Sequence, residues 1–467
     1  MKKTEFKKYS QLEKIWLLAP VAIWFSYKPL ISFGRNDSMN FELSVTIIYV
    51  TILALFGLPS VWKSKKTMIL NKAVQLVTLF VLFSGLSIFW STNRTRGVLT
   101  LGVIGLLYAI FLGGIANILK LKKLLPTLAR LLILTAIIMS VLSFIQFIAG
   151  IWLTPDQTLL CAGCTANQFG FPRPNVFTIE PQFFGNVILA PALILLKLVL
   201  IKKQTIYKYI GLIVLVTALF LTLSRGSIFA FCLGVLVLLA AERSKLHSTF
   251  KAGISLVLGV LMCLLMQSTA GAINPNIDIT FKGAASTSIN QLSLGLIDLN
   301  KLTAPKPVVT ESVQTIAPSP AKQTPNYTGY VAQSTIVRVR LSNLAMQSWS
   351  KSYDRMFFGV GLGASGTVLR KDFPNQVNTH EIVQNEYAET LLEYGLVGTS
   401  LFGALFGGLI YSLRKNKWSW AIVLVYLVQW IFFSGYPNTL HIYLILTLLF
   451  IGLGNSSSSK IIYNSKQ

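Results

Sequence analysis

Along most of this chain apolar residues come in unbroken runs, not in the alternations or single stripes that build a soluble core. A bilayer core of about 30 Å needs roughly 20 apolar residues in a helix, because no backbone polar group can be left unpaired in lipid. Runs of that kind predict spans near 15–33, 41–62, 73–90, 97–118, 131–150, 181–200, 207–223, 226–241, 252–272, 396–413, 418–435 and 440–454. The expected fold class is an all-α polytopic membrane protein of about twelve transmembrane helices. Pro181 and Pro191 fall in the sixth run, and only Ser224 and Arg225 separate the seventh from the eighth, which predicts a tight hairpin or a broken pair.

Between the ninth and tenth runs lie roughly 120 residues, too many for a plain connector. Residues 303–326, TAPKPVVTESVQTIAPSPAKQTPN, are rich in Pro, Thr and Ser without an apolar period and read as a flexible insertion. From Ser334 onward Arg338, Leu341, Leu344, Ala345 and Trp349 recur at helical spacing, up to the turn Phe358-Gly359-Val360-Gly361-Leu362-Gly363. Residues 380–394, HEIVQNEYAETLLEY, predict a second helix, with Asn378 as its cap, Glu381 three positions on, and Gly395 and Gly398 breaking it at the membrane surface. His380 and Gln384 share one face of it, Asn385 and Glu389 the next. The chain thus divides into an N-terminal transmembrane bundle (1–272), a large, partly helical extracytoplasmic loop domain (273–394), and C-terminal spans with a short cytoplasmic tail (395–467).

Charge sets the orientation. Lys2, Lys3, Lys7 and Lys8, then Lys63, Lys65, Lys66, then Lys120, Lys122, Lys123, then Lys202, Lys203, Lys208, then Arg243, Lys245, Lys251, and finally Arg414, Lys415, Lys417 all fall on one side of the predicted spans. Short cytoplasmic loops retain positive charge, so both termini are expected inside and the long loop outside. The net charge of +25 is then a topology signal, and without a soluble basic face nucleic acid is excluded as a partner. Mean hydropathy of +0.62 agrees with the membrane class. The first apolar stretch lacks a small-residue exit, so it is expected to be its own insertion signal.

The short connections on the other side carry arginine only, at Arg35, Arg94, Arg96, Arg173 and Arg225. A planar guanidinium grips phosphate in two places, whereas lysine acts as a point charge. The outer face is therefore expected to handle a phosphorylated ligand, the plain alternative being arginines that snorkel to lipid phosphates. Cys232 and Cys263 lie in apolar runs and read as packing residues. Cys161 and Cys164 lie in the outer connection after the fifth run, where an oxidising compartment permits a disulfide. No histidine or second cysteine pair completes a metal site around them, and neither metal nor cofactor is expected.

The segment TLSRGS around Arg225 resembles the serine-arginine-glycine signature of the O-antigen ligase and polymerase superfamily. FFGVGLG resembles that family's glycine turn, NEYAETLLEYGLVG its loop-helix ending, and LSIFWSTN and RPNVFTIEPQFFGNVI two further family features. The resemblance implies transfer of a glycan from undecaprenyl pyrophosphate to an acceptor hydroxyl at the outer side of the bacterial cytoplasmic (inner) membrane. The acceptor would be a second glycan, for a polymerase, or lipid A core or protein, for a ligase, with other envelope polysaccharide assembly proteins as partners. Arg225 is by resemblance one pyrophosphate fork, and Arg338 or Arg340 on the loop the second. The family's usual histidine directly precedes the loop asparagine; here Gln384 stands before Asn385, and His380 is the nearest histidine, one turn earlier. His380, Glu381 and Glu386 compete for the role of base. Arg173 and Glu180, flanking the mouth of the sixth run, either bind sugar hydroxyls or pair with each other. The competing function is a glycolipid or polysaccharide flippase, which would call for internal repeats and helices broken at midplane around buried polar groups.

Overall fold

The computed structural model describes residues 9–26, 30–33, 41–161, 164, 171–201, 205–241, 246–274, 285–286, 289, 327–374, 376–377, 382–413, 416–434 and 440–453, with side chains of 327–336 left aside. Among the described residues, the longer helices before the long loop are α1 Gln11–Ala22, α2 Val45–Ile69, α3 Lys72–Ser87, α4 Arg94–Ala116, α5 Ile118–Ala149, α6 Pro181–Ile201, α7 Ile206–Leu221, α8 Arg225–Ala241 and α9 Leu246–Ile273. The loop contributes α10 Tyr327–Trp349, α11 Tyr353–Phe358 and α12 Ser365–Asp372. The chain then forms α13 Glu386–Leu413, α14 Lys417–Gln429 and α15 Leu440–Leu453. Seven of these helices are long and apolar enough to cross a membrane, and four shorter ones are apolar. Every predicted span coincides with a helix for at least part of its length.

The first two predicted spans need correction. α1 stops at Ala22, and Leu30–Phe33 (β1) pairs antiparallel with Phe41–Ser44 (β2), Leu30 opposite Ser44. The apolar run is real, but an unbroken run is compatible with strand as well as helix and does not locate where a helix ends. Ser44 then caps α2 by accepting from the Ile47 N–H, so the second helix starts four residues later than its apolar run. α5 errs the other way, beginning at Ile118 instead of near 131, because Lys120, Lys122 and Lys123 are good helix formers outside lipid.

α6 is the central helix. Some 78% of its apolar window is buried within the protein, against 22% for α3, so most of α3 is left for lipid. The loop domain has its own small core, in which Leu341 and Leu344 of α10 meet Val368 and Leu369 of α12, together with Val360, Val383 and Leu392. That core is pinned to the bundle by the glycine turn. Ser87 Oγ accepts from the Leu362 N–H at 3.2 Å, and Ser91 Oγ donates to the Leu362 carbonyl at 2.9 Å. On its other side the Val360 and Gly361 N–H groups donate to the carbonyls of Leu392 and Glu393 on α13. Gly361 has φ of +92°, and a Cβ there would lie 2.6 Å from the Ser87 carbonyl oxygen, so only glycine passes between the two elements.

Candidate active site

Arg225 is the first residue of α8 and only 8% exposed. The helix dipole disfavours a cation at this end, so the helix itself does not favour the charge. The surrounding sequence explains how it is held. α7 ends at Leu221, and Leu223 takes a left-handed backbone at φ +47° before α8 starts at Arg225. α7 then packs on α6 and α9 and α8 on α6 and α14, so the two helices diverge around α6. Ser224 Oγ lies 2.9 Å from Ser227 Oγ and accepts from the Ser227 N–H, completing the first turn of α8. Ser227 Oγ also reaches Asn186 Oδ1 at 2.9 Å and the Gln182 carbonyl at 3.3 Å on α6. A Cβ on Gly226 would collide with the Phe432 side chain at 2.8 Å, so the glycine beside the arginine admits the segment after α14.

Arg338, on α10, comes to the same place from the loop domain. Its Nε donates to Gln384 Oε1 at 3.1 Å and its Nη2 to Gln182 Oε1 at 3.2 Å. Gln182 Nε2 in turn donates to the Phe432 carbonyl at 3.1 Å. Gln182 therefore touches Ser227 and Phe432, which flank Arg225, and also Arg338. Gln182 thus meets Arg338 through its side-chain amide and Ser227, two residues after Arg225, through its main-chain carbonyl. Arg340, two residues on, is exposed and donates to the Gln376 carbonyl at 3.4 Å, away from this cluster.

The remaining predicted site residues spread around that centre. Arg173 donates from Nε to the Thr222 carbonyl at 2.8 Å, bracing the end of α7. The Glu180 carbonyl accepts from Thr178 Oγ1 and from the N–H groups of Phe183 and Phe184 at the entry to α6, and its side chain is exposed. Asn385 is the N-cap of α13, its Oδ1 accepting from the N–H groups of Tyr387 and Ala388, each at 3.1 Å. The predicted helix start is corrected accordingly: residues 382–385 are not helical, and α13 begins at Glu386 instead of His380. Asn378, His380 and Glu381 lie outside the described residues, as does the insertion 303–326. Glu386 is buried at 2% exposure, with its N–H donating to the Trp430 carbonyl.

Several residues that shape this rim carry no motif. Gln146, inside α5, accepts from the N–H groups of Asn175 and Val176 and donates to the Thr158 carbonyl, folding the connection between α5 and α6 over the bundle. Within that connection Cys161 and Cys164 are joined by a disulfide. The signal for Gln146, Gln182 and Asn186 was polarity inside apolar runs, where amides are rare and usually have a partner to satisfy. All four non-glycine residues with positive φ among those described, Leu159, Val176, Leu223 and Gln384, belong to this end of the structure. Each left-handed residue costs about 1–2 kcal/mol, so strain concentrated here marks a place shaped for use.

Residues 210–403 match a family described as O-antigen ligase. The matched segment contains Arg225, Arg338, Gln384 and Glu386, and leaves Arg173, Glu180 and Gln182 outside. No curated protein matches the chain.

Proposed function

We propose that this chain, whose residues 210–403 match a family described as O-antigen ligase, is a metal-independent membrane glycosyltransferase of the O-antigen ligase and polymerase superfamily working at the outer side of the bacterial cytoplasmic membrane. About twelve helices span the bilayer in this reading, and the loop domain covers the rim that holds Arg225 and Arg338. The donor is a glycan on undecaprenyl pyrophosphate, whose polyprenyl tail stays between helices in lipid. The acceptor is a hydroxyl of a second glycan or of lipid A core.

The observation that carries this reading is that Gln182 bonds both Arg338 and Ser227, in the first turn of the helix that Arg225 opens. The acceptor oxygen attacks the anomeric carbon, the bond from that carbon to the pyrophosphate oxygen breaks, and the lipid pyrophosphate leaves with the electron pair. Arginine forks in a water-poor site stabilise the charge that builds on the leaving group. The hydroxyl proton goes to a base. Gln384 cannot serve, because an amide does not accept a proton near neutral pH, which leaves His380, Glu381 and Glu386, and of these Glu386 is buried one residue beyond the Asn385 cap. Arg340, Asn385, Arg173 and Glu180 contribute substrate contacts or shape the rim.

Arg225→Lys tests the reading, since it keeps the charge and loses the two-point grip. Loss of a transition-state contact of this kind costs about 3 kcal/mol, on the order of a hundredfold in rate. Arg225→Lys and Arg225→Ala should both insert normally and both lose that much transfer from a lipid-pyrophosphate oligosaccharide. Near-normal product from Arg225→Lys would mean that the arginine merely snorkels, and would remove it from the mechanism.

A further inference from the structure

We propose that Gln182 is a positioning residue: with Gln384 it forms a neutral clasp that fixes the plane of the Arg338 guanidinium for the donor pyrophosphate. The inference rests on the donor reading given above and gives Gln182 and Gln384 a role toward Arg338.

The clasp has a defined chemistry. Gln384 Oε1 takes Nε and Gln182 Oε1 takes Nη2, so the two amides hold one edge of the guanidinium. The Gln182 amide cannot be turned over. Its Nε2 donates to the Phe432 carbonyl, and a flip would set NH2 groups against the guanidinium and an oxygen against that carbonyl. Gln182 is itself 8% exposed and sits in the first turn of α6, the most buried helix, so the clasp is anchored in the rigid part of the protein. Gln384 reaches its bond from a left-handed backbone at φ +57°, a conformation that an L-residue adopts only when its surroundings hold it there.

Both clasping side chains are amides where carboxylates of the same length would bond the arginine more strongly. A charge-assisted bond to Glu would also offset the positive charge that attracts a diphosphate. An amide oxygen fixes direction and adds no charge. The same logic accounts for glutamine at 384: beside Arg338 it acts as a spacer with an acceptor and not as a base.

Gln182→Glu keeps an acceptor for Nη2 but adds negative charge and removes the donor to Phe432. It should raise the donor KM by about tenfold or more and leave the acceptor KM unchanged. Gln182→Met keeps the volume and loses both bonds, and should lower kcat by about tenfold, with Arg338→Met as the reference. Binding is read separately, as the thermal stabilisation of the purified full chain in detergent by inorganic pyrophosphate and by undecaprenyl pyrophosphate. Stabilisation of the wild type that weakens in Gln182→Glu and vanishes in Arg338→Met supports the clasp. Equal stabilisation of wild type and Gln182→Glu, or kinetic constants unchanged in the folded fraction of both Gln182 variants, would show a merely structural glutamine and leave the donor reading standing. If neither probe stabilises the wild type, the donor reading fails and the clasp falls with it.

Discussion

Arg338 and Arg340 are two positions apart on one helix, and at about 100° per residue that spacing points them to nearly opposite sides. One therefore meets Gln182 and Gln384 while the other lies along the outside of the loop domain. A different charge holds that domain closed. Asp372, at the end of α12, accepts from Ser348 Oγ at 2.6 Å and pairs with Arg355 at 2.7 Å and Lys351 at 3.1 Å, joining α12 to α10 and α11. Burial pushes its carboxyl up, but the bonds from Ser348, Arg355 and Lys351 outweigh burial and hold it below the usual carboxylate range. A depressed native pKa adds stability that is present above the unfolded value, near pH 4, and is lost as pH falls through the native one. Thermal melts of the detergent-purified protein should therefore drop on acidification below about pH 4, with Asp372→Asn starting lower and losing less across that window. Parallel acid limbs for both proteins would remove Asp372 from the loop domain's stability.

α13 is two helices in one. Gly395, at φ +63° and ψ −166°, breaks it into a loop helix of 386–394 and an apolar helix from 396, and the break was expected from that glycine. Its start was misjudged because Asn378 with Glu381 imitates a capping box, whereas Asn385 is the residue that caps. Capping depends on which turn the rest of the protein can accommodate, and here Trp430 and the glycine turn dock against α13 only from Glu386 on. α10 begins at Tyr327, directly after the Pro/Thr/Ser-rich insertion, whose composition can bury no core of its own. Deleting 303–326 should leave glycan assembly largely intact, as judged by surface polysaccharide on gels. Complete loss of product at normal membrane levels of protein would give the insertion a part in the site.

Viewed whole, the chain is a multi-pass membrane protein whose residues 210–403 match the O-antigen ligase family, and the lysine clusters predict its orientation. In a variant without the four native cysteines, Asp156→Cys should react with an impermeant maleimide in intact cells, and Lys63→Cys should react only after the membrane is opened. Labelling of the second and not the first would invert the topology and put the arginine rim in the cytoplasm. The presence of helices α2 to α9, though not the starts of α2 and α5, was readable from residues alone, because a span sums the transfer free energies of some 20 neighbours and needs no knowledge of the rest of the chain. Gly361 and Gly395 were readable as breaks for the same local reason. The pairing of β1 with β2, the choice of Arg338 over Arg340, and the meeting of Gln182, Gln384 and Phe432 were not. The strand pairing needs two segments of the first connection to meet, and the Arg338 contacts form only where the loop domain, latched by the Ser87 and Ser91 hydroxyls to the bundle, packs against the start of α6. Hydropathy measures how each residue prefers lipid to water, and it carries no information about which two distant polar groups will satisfy one another once both are buried.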